Sequence, residues 1–230
     1  MRYLFTGTLN TRDLGGHPTA SGVYTKYGRL IRGDAATQLT CADLDMLYDM
    51  GITTAIDLRH PDFEAARRPS SFASDDRFRY HNRHLDDRMR DVVKAESDIA
   101  PAYFDMARRG DTVRDVMKII AAAEGGVVFH CSAGKDRTGV TAAMLLDLAG
   151  VPMVDIVADY QVTETYIRSR MERILEEFPD MPRFFGQSKP EYIEGFFELL
   201  WAEYGTTEDF LLARGVESDE LERIRAKLLG

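Results

Sequence analysis

Gly126-Val127-Val128-Phe129-His130-Cys131-Ser132-Ala133-Gly134-Lys135-Asp136-Arg137-Thr138-Gly139 joins an apolar run to a loop of small residues and then to a helix opening near Thr138. Four consecutive residues, 127–130, read as a strand buried on both faces, the kind that a parallel sheet carries. Working outward, β-like runs recur at 29–31, 53–58 and 78–82. Helix-like spacing fills 42–50, 100–109 and 113–124. The last of these is apolar at Val113, Val116, Met117, Ile119 and Ile120 and stops at Gly125-Gly126. Strands alternating with helices predict an α/β fold with a central, mainly parallel sheet flanked by helices. Beyond Thr138 the pattern is almost wholly helical: to Leu148, then 154–178, 191–204, 207–213 and 218–229, broken near Phe184-Phe185 and Pro190. Ser218 is the expected N-cap of the last helix, with Asp219, Glu220 and Glu222 in its first turn. No linker or repeat divides the chain, so one domain over 1–230 is expected, its C-terminal helices forming a cap on the α/β core.

Composition narrows the function. Of 230 residues, 44% are hydrophobic and 29% charged, which supports a sizeable core and excludes a disordered or collagen-like chain. Charge is 29 basic against 38 acidic residues, a net of -9. That disfavours a nucleic-acid partner yet leaves room for one local basic pocket. The apolar run Tyr3-Leu4-Phe5 is too short for a secretory signal, and 140–156 is interrupted by Asp147, Pro152 and Asp155, so no integral membrane segment is expected. The two cysteines, Cys41 and Cys131, lack metal-ligand spacing and point to a reducing compartment. A cytoplasmic location is expected; export by a signal-less route would leave no trace in composition.

Within the loop, Cys131 and Arg137 are separated by five residues. A turn that tight directs successive backbone N–H groups inward, and the following helix adds its positive end, making a concavity for a tetrahedral oxyanion. Ser132, Ala133, Gly134 and Lys135 would supply the substrate-binding backbone. Arg137 would offer a planar pair of donors to two phosphate oxygens. Such surroundings favour the Cys131 thiolate, which could attack phosphorus and form a cysteinyl-phosphate. A bland alternative makes Cys131 a small buried hydrophobe. A nucleotide loop is excluded by count: Phe129 stands where the first glycine should be, and Asp136 replaces the hydroxyl residue after Lys135.

The run His130 to Gly139 resembles the HCxxGKDRTG signature of bacterial tyrosine and lipid phosphatases, an atypical branch of the cysteine-based protein tyrosine phosphatases. Asn10-Thr11-Arg12-Asp13-Leu14-Gly15-Gly16 is similar to that branch's opening N-x-R-D-L-G-G. Asp57-Leu58-Arg59 followed by Glu64 is like its D-L-R…E element, and Asp159-Tyr160 like its later D-Y; 27–35 matches a further segment loosely. The likeness runs to about residue 170 and weakens in the C-terminal helices.

The resemblance implies a protein-tyrosine-phosphatase-like fold and a phosphoric monoester hydrolase that needs no cofactor. Cys131 would be the nucleophile, Arg137 the phosphate clamp, and Thr138 a donor to the departing thiolate. Lys135 would meet a second phosphate on phosphoinositide head groups; the competing reading is a solvated loop lysine. Asp136 is the general acid associated with this signature, with Asp86 and Asp87 as rivals. Phosphotyrosine proteins lead the substrates, with phosphoserine, phosphothreonine and phosphoinositides open. His81 and His84 lack a third metal ligand. Arg12, Asp13, Asp57 and Arg59 either brace the loop or form structural ion pairs, and His130 orders the loop. Two other classes compete: a phosphate-binding module without turnover, and a rhodanese-like sulfurtransferase.

Overall fold

The structure, a computed structural model, describes residues 1–86 and 88–230. Its sheet has the strand order β1-β2-β5-β3-β4, with β1 (Arg12–Asp13), β2 (Leu30–Gly33), β3 (Ile52–Asp57), β4 (Arg79–Asn82) and β5 (Gly126–His130). Pairing is parallel except for β1 against β2, where Arg12 faces Arg32. The expected mainly parallel sheet is therefore present. β1, two residues long, has no periodicity to betray it and is not among the β-like runs of the sequence.

β5 is central because it is buried at every position. Its side chains alternate between two cores, as the pleat requires. Val127 and Phe129 enter one with Leu30 and Ile56; Val128 enters the other with Ile31, Ala55, Phe72 and Phe78. The smaller core is covered by α1 (Cys41–Asp49), which Thr40 and Asp43 start with a reciprocal capping box. The larger core lies beneath α3 (Ile99–Arg108), α4 (Thr112–Ala122) and α5 (Asp136–Leu148), following the short α2 (Met89–Val92).

The C-terminal helices divide in two. α6 (Met153–Glu177) packs on α5, and a short turn at Arg183–Gly186 packs back on it. α7 (Pro190–Tyr204) lies on α3, α8 (Thr207–Ala213) on α5 and α9 (Ser218–Leu229) on α4. Proline sits at the first turn of α7, where its missing N–H costs nothing. The N-cap of α9 is Glu217 and not Ser218: Glu217 N–H donates to Glu220 Oε2 at 2.9 Å, one residue earlier than expected. Among the described residues, no helix is long and apolar enough to cross a membrane.

Candidate active site

β5 ends at His130 and α5 begins at Asp136, so the loop 131–135 lies at the carboxyl end of the central strand, where open α/β sheets place ligands. Gly134 holds a left-handed φ of 70°, and a Cβ there would meet Asn10 Nδ2 and Gly33 O, each at 2.8 Å. Glycine is required at that position by both strain and space.

Each consecutive loop carbonyl is pinned from outside. Ser132 O accepts from Ala35 N at 3.2 Å and Arg170 Nη1 at 3.0 Å. Ala133 O accepts from Asn10 Nδ2 at 3.0 Å. Gly134 O accepts from Asn10 Nδ2 at 3.1 Å and Arg32 Nη2 at 2.8 Å. A planar trans peptide points its N–H opposite to its carbonyl. The N–H groups of Ala133, Gly134 and Lys135 therefore face the concave side, and among the described residues no protein acceptor takes them. They form a preset anion cradle at the start of α5.

The pinning residues form one buried network. Arg12 donates through Nε to Asp159 Oδ1 at 2.7 Å and through Nη1 to the Asn10 side chain, orienting that amide toward the loop. Arg32 pairs with Asp159 Oδ2 through Nη1 while its Nη2 holds Gly134 O. Burial alone would raise the Asp159 carboxyl, but Arg12 and Arg32 override it and hold it well below the usual carboxylate range. Burial, and then the charge of Arg12, push Arg32 down to about 10. From the other side, Arg170 of α6 donates to Asp34 Oδ2 at 2.6 Å, and Asp34 also receives the N–H groups of Leu9 and Asn10.

Cys131 lies in the loop, 2% exposed. Arg137 is on the first turn of α5, and its two terminal nitrogens donate to Glu64, Nη1 to Oε2 at 2.6 Å and Nη2 to Oε1 at 2.9 Å. Ser132 Oγ donates to the same carboxylate. The planar pairing expected with phosphate is thus made here with Glu64. Nη1 also reaches Leu58 O at 3.4 Å and Nη2 reaches Ser132 Oγ at 3.5 Å, so the plane of the guanidinium is fixed. Burial would raise the Glu64 carboxyl, but the hydrogen bonds and charge of Arg137 bring it down to about 2. Glu64 is carried by a single turn, Pro61–Ala65, whose start is capped by the His60 ring accepting from Asp62 N at 3.2 Å. Cys131, the loop N–H groups, Arg137 and Glu64 together make a thiol under an oxyanion cradle with an oriented guanidinium.

The profile described as the tyrosine phosphatase family matches residues 3–230 of this sequence. The chain belongs to that family. It is a cysteine-dependent phosphatase of the tyrosine phosphatase superfamily. Among its relatives, a tyrosine-protein phosphatase of Nostoc commune is 33% identical over 211 residues, covering 83% of this chain and 71% of that one. The triple specificity protein phosphatase PtpB of Mycobacterium tuberculosis is 24% identical, covering 97% of this chain and 98% of its own.

Other sequence candidates of the phosphatase are placed as follows. Lys135 is neither solvated nor at the mouth: it is 1% exposed, and its Nζ donates to Phe185 O at 2.8 Å and lies 3.3 Å from Asp136 Oδ1. It ties the loop to the 183–186 turn. Thr138 is buried and its hydroxyl donates to Gly33 O at 3.4 Å. Asp136 Oδ1 accepts from Tyr103 OH at 2.5 Å, and Tyr103 in turn meets Tyr160 OH at 2.7 Å. Asp86 is an exposed-side partner of Arg88 at 3.0 Å, and Asp87 lies outside the described residues. Asp57 and Arg59 form a buried ion pair at 2.6 Å beneath the loop. His130 Nδ1 is 3.8 Å from Asp57 Oδ1, its Nε2 meets Ser70 Oγ at 3.1 Å, and burial lowers its pKa, so the ring is neutral. Cys41 and Cys131 are both free thiols.

Arg170 and Tyr103 carry no sequence motif and were not anticipated. Glu64, Asn10 and Asp159 stood in recognised motifs without a role. Glu64→Gln keeps the shape but weakens the hold on Arg137. We expect kcat/KM for an aryl phosphate to fall about 10²-fold, the scale of a misplaced catalytic group, with the thermal midpoint little changed. The Glu64 pKa is depressed, so its ionised pairing is fully present above the usual carboxylate range and is lost only as pH falls toward about 2. The defect should therefore be constant from pH 5 to 8, and a defect confined to one end of that range would refute this role.

Proposed function

We propose that this phosphatase belongs to the branch bearing HCxxGKDRTG and hydrolyses phosphotyrosine in proteins through a cysteinyl-phosphate on Cys131. The observation carrying this reading is the outward pinning of three successive loop carbonyls, which leaves their N–H groups to the bound phosphate. Cys131 Sγ attacks phosphorus as the ester P–O bond breaks. Loop N–H groups and Arg137 hold the equatorial oxygens, most strongly as charge spreads in the transition state. Asp136 gives its proton to the leaving tyrosyl oxygen. Water then attacks the phosphocysteine, returning a proton to Asp136, and the P–S bond breaks to release phosphate and restore the thiolate. The start of α5 favours that departing thiolate.

Tyr103 supports Asp136 as the acid by fixing Oδ1, which leaves Oδ2 for the substrate. Phe63 supports an aromatic ester: it is 63% exposed on the rim of a cavity of about 620 Å³ that Ser132 and Glu64 also line. Phosphoserine, phosphothreonine and phosphoinositides remain competing substrates for the same loop.

The test is phosphate release from a phosphotyrosine peptide and from a phosphoinositide side by side, with Cys131→Ser as the blank. Release from the peptide that vanishes in the blank supports the reading. Release only from the lipid moves the substrate class. No release from either, by folded protein, favours a binding module; sulfur transfer from thiosulfate would favour a sulfurtransferase. In Asp136→Asn the basic limb of the pH–rate profile should disappear and kcat on the peptide fall about 10²–10³-fold. A retained basic limb would pass the acid role to Asp86 or Asp87.

A further inference from the structure

We infer that Arg67, Arg68 and Arg173 form an anion-accepting rim that selects phosphotyrosine segments carrying acidic residues on both sides of the phosphotyrosine. The inference rests on the phosphatase reading above and names the substrate feature that reading leaves open.

The three arginines line the cavity of about 620 Å³ that reaches Ser132 and Glu64. They come from separate elements: Arg67 and Arg68 follow the turn that carries Glu64, and Arg173 stands on α6, one turn beyond the loop-bracing Arg170. Elsewhere some exposed arginines sit against carboxylates, as in Arg77 with Asp75 and Arg223 with Asp219, while others among the described residues, such as Arg29, Arg79 and Arg83, stand singly on the surface away from the cavity. Among the described residues, no carboxylate lies within ion-pair distance of Arg67, Arg68 or Arg173; Arg173 Nε reaches only Ser169 O on its own helix, at 3.3 Å. A chain with nine excess acidic charges that gathers three such cations around the cavity beside Ser132 and Glu64 leaves them for an incoming anion.

Their placement favours a peptide over a membrane surface. The cations reach the cavity from two separate elements, the segment after the Glu64 turn and α6, so a strand bound there can meet a cation from each. The exposed large apolar side chain of the lining is Phe63, one ring and not an insertable apolar face. The net charge of -9 also opposes approach to an anionic bilayer.

The test uses the full chain as Cys131→Ser, so that binding is read without turnover. A labelled phosphotyrosine peptide flanked by Asp and Glu is titrated against the same peptide with Asn and Gln. The acidic peptide should bind about tenfold tighter at about 50 mM salt, from a few exposed pairs acting together. The ratio should shrink toward one at about 0.5 M salt. It should also vanish when Arg67→Gln, Arg68→Gln and Arg173→Gln are combined. Should the triple variant melt early, Arg173→Glu alone serves: it should lower the ratio at least about threefold. Equal binding of the two peptides by the parent protein overturns the inference. So does tighter binding to phosphatidylcholine vesicles containing a phosphoinositide, if the triple variant abolishes it. Hydrolysis of a small aryl phosphate by the unmodified protein tests the phosphatase reading separately, so either can fail without the other.

Discussion

Replacing Cys131 with serine is expected to reduce phosphate release by at least about 10⁴-fold while leaving the fold and anion binding in place. The side chain is 2% exposed and packs with the larger core, and serine differs from it by one atom, so the thermal midpoint should move by less than about 3 °C. The cradle consists of loop N–H groups fixed by carbonyls pinned to Asn10, Arg32 and Arg170, none of which touches residue 131 through its side chain. Inorganic phosphate should therefore still raise the thermal midpoint of Cys131→Ser, because a ligand that binds only the folded state stabilises it by mass action. Chemistry fails for a different reason. The site is built to favour an anion, and a hydroxyl needs a base to become one. The adjacent imidazole, His130, is buried, neutral and turned to Ser70 at 3.1 Å. Turnover by Cys131→Ser within about tenfold of the parent would remove Cys131 from the mechanism. Loss of turnover together with loss of phosphate binding would show instead that the loop had collapsed.

The strand and helix pattern was legible because each element announces itself locally. Residues 127–130 form a continuous apolar run, Val113 to Ile120 keeps helical spacing, and Gly125-Gly126 marks the break between them. The loop was legible for the same reason: the cysteine, arginine and small residues of an anion cradle must be consecutive. What orients that loop was not. Asn10 and Ala133 lie 123 residues apart, Arg12 and Asp159 lie 147 apart, and no local pattern shows that a charged residue will be buried against another. β1 escaped because its two residues show no alternation; it exists through pairing with β2, which sets Arg12 opposite Arg32. In the sequence Lys135 stays open between a contact for a second phosphate and a solvated loop lysine, and its burial at 1% exposure has no local signal. The turn at Arg183–Gly186 closes over it, with Phe185 O as acceptor. Glu64 shows the limit most clearly: its motif was readable, yet only the fold shows it occupying the two donors expected to meet phosphate.

The largest expected loss of stability comes from Asp159→Asn. The carboxylate stands between two buried guanidiniums, Arg12 at 2.7 Å and Arg32. Asparagine preserves the shape and removes the charge, leaving two like charges close together and out of water. Breaking a buried ion pair from one side costs about 3–5 kcal/mol, which for a chain of this size lowers the thermal midpoint by about 10 °C. The pH dependence separates charge from packing. Because the folded-state pKa of Asp159 is depressed, its contribution is fully present above its unfolded value near 3.9 and is lost as pH falls below that. The parent should thus lose stability steeply on acidification, while Asp159→Asn, already without the carboxylate, should show a shallower slope and the gap between them should narrow. Activity should fall with stability, since Arg32 also holds Gly134 O and Arg12 holds the Asn10 amide that reaches Ala133 O and Gly134 O. A loop released at these points presents its N–H groups in no fixed direction, so kcat should drop more than KM rises, the signature of contacts made in the transition state. A variant that keeps the parent's midpoint and kcat would show that the two arginines find other partners, and that the buried network is not what holds the loop.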